Sequence, residues 1–134
     1  LTSPAAGAWM GLSELTALGD DRFAVIERDN LFGAKAVKTL ATFSVKGLTP
    51  APLGAASIPT VEKKLLRDLT PSLLALNGYG LDKVEGMTVD RDGNLFVVTD
   101  NDGVDDACLT PVLRARPGSL RWRGKRPRSP ARTG

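Results

Sequence analysis

Apolar and polar positions alternate most clearly in two stretches of this chain, and each has the form of a hairpin. In the second, the run ending at Val89 and the run from Leu95 to Val98 are rich in β-branched and aromatic residues. Asp92-Gly93 between them is a dipeptide that readily supplies the positive φ angles of a tight turn. In the first, a strand over about 11–18 is predicted to turn at Asp20-Asp21 into a strand over about 22–28. Residues 35–46 alternate well, with Ala36, Leu40 or Ala41 and Phe43 offering apolar faces, which predicts a half-buried strand. Residues 47–60 hold Pro50, Pro52, Pro59 and two glycines and read as a loop. Val61 to Leu76 would suit an amphipathic helix were it not broken by Pro71, and Asn77-Gly78-Tyr79-Gly80 punctuates the chain before the second hairpin.

The two hairpins resemble each other. Glu14 matches Glu85, the acidic turn Asp20-Asp21 matches Asp90 to Asp92, the strand Phe23 to Ile26 matches Leu95 to Val98, and Asp29-Asn30 matches Asn101-Asp102. In this alignment the offset lengthens by one position across the turn, so the match contains a gap. Such periodicity points to a repeat architecture, and hairpins recurring with long insertions suit a propeller better than a sandwich. Two unrelated acidic hairpins would show the same likeness. The second hairpin also gathers Glu85 and the Asp100-Asn101-Asp102 cluster, where oxygen ligands can surround a hard cation or face a phosphate ester.

Gly11-Leu12-Ser13-Glu14-Leu15, the strand Phe23 to Glu27, Lys64 to Leu69, Lys83-Val84-Glu85-Gly86-Met87 and Phe96 to Asp102 together resemble the phytase-like family, described as having esterase-like activity of phytase. The likeness covers about residues 10–106, and its most specific parts are the Lys-x-Glu-Gly step and the Asp-Asn-Asp end around an Asp-Gly turn. The resemblance implies a mainly β fold, a β-propeller of which this chain is a C-terminal or other partial fragment. It also implies an exported protein, secreted or periplasmic, with hydrolase activity on a phosphoester or ester. Within it Lys64 to Leu69 is expected to be a strand, followed by a short helix at Ser72 to Leu76.

Charge divides the chain. Residues 1–106 hold 10 Lys and Arg and all 15 Asp and Glu, whereas residues 107–134 hold 8 Lys and Arg and no acid. The overall charge of +3 therefore averages two unlike parts. The first is expected to be the propeller segment. The second is Arg/Pro-rich, lacks apolar periodicity after Leu113, and is expected to be a disordered tail. An out-of-frame reading of GC-rich coding DNA gives the same composition and is favoured over a genuine solvated tail, since the strand pattern stops abruptly near Asp106. A third reading, a basic arm with Trp122 for stacking on nucleic acid, is not favoured.

The single Cys108 excludes an intrachain disulfide, and the absence of His excludes Ser-His-Asp chemistry and imidazole-based zinc sites within this chain. Hydrolysis would have to use carboxylates, a metal-activated water, or Lys and Arg as charge clamps. No apolar run is long enough to span a bilayer, and residues 1–20 lack the charged start and apolar core of a signal peptide. The first residue, Leu1, is expected to mark a processed or excised product.

The expected catalytic carboxylates are Glu14 and Glu85, set against the plainer roles of pairing with a lysine or capping backbone amides. Asp100, Asn101 and Asp102 are the expected ligands of Ca2+, with solvation of a surface loop as the alternative. Lys83 and Arg28 are the expected substrate clamps, Arg91 being a further basic candidate. Asp90-Arg91-Asp92-Gly93-Asn94 has the spacing of an EF-hand start, but Leu95 stands where that loop needs glycine and no closing Glu follows, so a hairpin turn is expected. The alternative to a hydrolase is a non-catalytic β-rich module that binds a ligand or protein, since fold does not decide function. Open sheet edges would favour self-association.

Overall fold

The computed structural model describes residues 6–75 and 83–100 together with the backbone of Val112–Ala115. Its first sheet is an antiparallel meander of β1 (Met10–Gly19), β2 (Arg22–Asp29), β3 (Lys38–Ser44) and β4 (Lys64–Asp68), in that spatial order. The second has β5 (Val84–Val89), β6 (Leu95–Thr99) and β7 (Val112–Ala115), again antiparallel and in chain order. A four-stranded meander is the unit from which propellers are built. The described residues thus hold one such unit and three strands of another, and form no closed barrel. β7 lies beyond residue 106, inside the basic segment; the remainder of residues 107–134 lies outside the described residues.

Strand pairing makes the repeat explicit. Leu12 pairs with Glu27 and Val84 with Thr99; after one bulged residue Glu14 pairs with Ile26 and Gly86 with Val98; Leu15 then faces Val25 as Met87 faces Val97. The third strands obey the same rule, with Ala41 opposite Val25 and Leu113 opposite Val97. The separation from Leu12 to Val84 is the same as that from Val25 to Val97 or from Ala41 to Leu113, so the repeat runs without a gap. The bulged residues are Ser13 and Glu85. The expected correspondence of Glu14 with Glu85 is therefore corrected: the counterpart of Glu85 is Ser13, and that of Glu14 is Gly86. Matching the two glutamates demands a gap that the backbone does not contain.

The turns differ although their spacing does not. Asp20 and Asp21 both adopt left-handed φ, 53° and 57°, between the paired Gly19 and Arg22. Asp and Asn tolerate that region better than other side chains with a Cβ. In the second hairpin only Gly93, at φ 80°, does so. There Asp90 organises the loop: its Oδ1 accepts from the amides of Asp92 and Asn94, and its Oδ2 from Asn94 Nδ2. The carboxylate replaces backbone partners that the longer connection leaves open. This is the hairpin turn expected from the sequence.

The core lies between the sheets. Ala24, Ile26 and Leu40 from the first sheet meet Val84, Met87, Leu95 and Val97 from the second, with Leu18, Leu69 and Leu73 completing the cluster. The short helix α1 (Thr70–Leu74) supplies Leu73; it begins earlier than expected, because Pro71 occupies its first turn, where its missing N–H costs nothing. Thr70 Oγ1 donates to Ala36 O and fixes the helix to the loop before β3. That loop is itself held by Asp29 and Lys38. Lys38 Nζ donates to Asp29 Oδ1 at 2.9 Å, to Asp29 O and to Leu31 O, while Asp29 accepts from the amides of Leu31 and Val37. Both side chains are almost fully buried. Every charge removed from water here has several partners, which is the condition for tolerating it.

Candidate active site

Two edge strands meet where the sheets join. The Ser13 hydroxyl donates to Val84 O at 2.5 Å, which ties the bulge of β1 to the start of β5. The next residue, Glu85, is itself the bulge of β5 and so projects out of the regular alternation. Its Oε1 accepts from Arg28 NH2 at 2.9 Å. The Arg28 side chain is 10% exposed and that of Glu85 40%. Arg28 also lies over the Trp9 ring, 5.2 Å from its centroid, and Trp9 N donates to Asn30 Oδ1. The guanidinium is thus held on one face by an aromatic ring and at one nitrogen by the carboxylate, and through it the end of β2 orients Glu85.

Of the residues expected from the sequence, the structure brings Arg28 and Glu85 into contact. Lys83 and Asp100 flank the open end of the β5–β6 hairpin, where Asp100 N donates to Lys83 O at 2.8 Å. Asp100 therefore lies close in the ladder to Glu85, since Val84 pairs with Thr99. Asn101 and Asp102 lie outside the described residues. Glu14 is half-buried and curls onto its own strand, its Oε1 accepting from Leu15 N at 2.8 Å. Arg91 is exposed at the turn. Among the described residues Arg28 Nε and Thr99 Oγ1 are buried without a hydrogen-bond partner.

Trp9 and Ser13 were not among the expected site residues. Ser13 is visible in the sequence once the hairpins are aligned without a gap. Nothing local marks Trp9, whose role depends on the long-range approach of Arg28.

The acidic groups do not form a calcium site among the described residues. No three of them converge there, Glu85 is engaged by Arg28, and the Asp29 carboxylate is spent on Lys38 and two backbone amides. Of the Asp100-Asn101-Asp102 cluster, Asp100 is described, and Asn101 and Asp102 lie outside the described residues. Among the described residues no helix is long and apolar enough to cross a membrane.

No curated protein and no solved structure shows a significant match to the chain. A family model, "Phytase-like: Esterase-like activity of phytase", matches residues 1–103, most of the chain's length. A blade-type meander repeated in constant register, with the Lys83-Val84-Glu85-Gly86 step at the seam of its sheets, agrees with that match, and the chain belongs to the phytase-like family.

Proposed function

We propose that the chain carries part of the catalytic face of a hydrolase acting on phosphoesters or esters, with Glu85 as its working carboxylate. The observation that carries this reading is the Arg28–Glu85 pair: a part-exposed carboxylate on a bulge, oriented by a nearly buried guanidinium at the seam between the first strands of two sheets. In a propeller such strands surround the central channel, where ligands collect. One oxygen of Glu85 is fixed by Arg28, and the other accepts a proton from the water that attacks the ester. Arg28 acts as a positioning residue in this scheme, because its exposed surface is too small to clamp a substrate directly. Lys83, on the same strand end as Glu85, supplies positive charge for an anionic oxygen of the substrate. Glu14 would act from β1 as a second carboxylate.

Calcium belongs to the proposal through Asp100, Asn101 and Asp102, and no step above depends on it. The family resemblance supports an exported protein.

The test is hydrolysis of a nitrophenyl phosphate, a nitrophenyl ester and phytate by the full chain and its Glu85→Gln variant, with and without added calcium. Loss of turnover in Glu85→Gln, with the fold retained by circular dichroism, is the expected result. Turnover equal to that of the parent chain overturns the assignment of Glu85. Absence of turnover from the parent on every substrate favours the binding-module reading, in which the Arg28–Glu85 pair serves only to join the sheets.

A further inference from the structure

We infer that the junction of the two sheets holds one buried water, bound by Arg28 Nε and Thr99 Oγ1 beside the Glu85 carboxylate. Strand alternation turns both residues inward. Arg28 follows Ile26 on the inner face of β2, Thr99 follows Val97 on the inner face of β6, and Ile26 and Val97 both belong to the core between the sheets. They also reach the same end of that core. Thr99 pairs with Val84, the residue before the bulged Glu85, and Glu85 in turn accepts from Arg28 NH2.

Both side chains carry an unanswered polar atom. Thr99 as a whole residue is 2% exposed and Arg28 8%, and among the described residues nothing hydrogen-bonds Thr99 Oγ1 or Arg28 Nε. Folded proteins leave few such atoms unpaired, because each forfeits its hydration and gains nothing for it. The neighbouring acceptors are committed elsewhere. The carboxylate of Asp29 accepts from Lys38 and from two loop amides, and Glu85 Oε1 is bonded to NH2.

The chemistry of the two atoms selects water. Nε–H can only donate, whereas a threonine hydroxyl donates or accepts. Nε–H and one N–H of NH2 leave the planar guanidinium along the same edge, so an acceptor at Nε lies beside the Glu85 carboxylate. An anion there would be repelled by that carboxylate. A water carries no charge, accepts from Nε–H, and donates to Thr99 Oγ1 and to Glu85. A buried water needs about two to four polar partners, and these three supply them. Solvent reaches the place along Glu85, whose side chain is 40% exposed. Through the water Thr99 becomes a positioning residue, so that β6 as well as β2 steadies the Arg28–Glu85 pair. This concerns the junction itself and does not depend on Glu85 acting as a base.

Nuclear magnetic resonance of the full chain with isotope-labelled nitrogen, observed at the Arg28 Nε–H, tests this together with urea unfolding. A cross-peak from Nε–H to water, with the sign of a long-lived bound molecule, is expected in the parent and in Thr99→Ser and is expected to be lost in Thr99→Val. Thr99→Val, which keeps the shape of the side chain, is expected to lower the urea midpoint, and to leave it nearly unchanged on an Arg28→Met background. A raised midpoint in Thr99→Val overturns the inference, since the hydroxyl would then have been buried unpaired. Equal losses on both backgrounds overturn it as well, by giving the hydroxyl a partner other than Arg28. So does a parent without the water cross-peak, in which Arg28 Nε would bond Thr99 or the second oxygen of Glu85 directly.

Discussion

Ser13 and Glu85 occupy the same bulge in two successive sheets, and the hydroxyl of the first bonds the carbonyl beside the second. A position that joins sheets in one repeat thus presents a carboxylate in the next. The likeness of the two hairpins extends to the backbone but not to the chemistry at this point. Ser13→Ala is expected to lower stability by about 1 kcal/mol, the net worth of one hydrogen bond, with the loss read from the midpoint of urea unfolding.

Removing Glu85 leaves Arg28 nearly buried without its counter-charge. Glu85→Ala is expected to lower stability by about 1–2 kcal/mol, less than for a fully buried pair because Glu85 is partly solvated. Glu85→Ala made on an Arg28→Met background should cost much less. A double-mutant cycle by chemical denaturation measures the difference, and additive losses would show that the pair is not coupled.

The Asp29–Lys38 pair is the more costly one to break. Both side chains are buried and together they hold five hydrogen bonds in the loop between β2 and β3. Asp29→Ala is expected to cost about 3–5 kcal/mol, since it strands a buried ammonium. Thermal unfolding followed by circular dichroism would show it as a large fall in Tm.

Gly86 has no room for a side chain. A Cβ there would lie 2.5 Å from Cγ1 of Val98, a β-branched residue with little freedom to rotate away. Gly86→Ala is expected to destabilise by about 1–3 kcal/mol. Adding Val98→Ala should restore part of that loss, whereas failure to do so would place the strain in the backbone.

In the proposed reading, in which Asp100, Asn101 and Asp102 hold calcium, Asp100→Asn is expected to weaken calcium binding, because a hard cation favours carboxylate oxygens. Isothermal titration of the full chain, repeated with Asp100→Asn, measures it. Equal binding by both would remove Asp100 from the site.

Much of this architecture is legible in the sequence because it rests on period-2 alternation and turn residues. The strands over residues 11–18 and 22–28 extend by only a residue or so at their ends. The strand expected over 35–46 shrinks to Lys38–Ser44, because Gly33–Lys35 forms a 3-10 turn beside the loop that Lys38 and Asp29 hold in place. That ion pair is invisible to alternation, which reads Lys38 as a solvated residue. Glu14 and Glu85 differ in place for a different reason: their chemical likeness does not fix register, and a single-residue shift in a strand moves every side chain to the opposite face. Arg28 is expected at the site as a clamp; its side chain is nearly buried against Trp9 and Glu85, and in the proposed scheme it supports Glu85.

The buried side chains of the core are drawn from both sheets. A single meander cut from this chain would expose the inner face on which its neighbour rests. Growth or loss of such a molecule over evolutionary time is therefore quantised. An insertion of one whole repeat adds a sheet without inventing a contact, while one of any other length must be absorbed in a loop, of which the segment between β3 and β4 is the longest described.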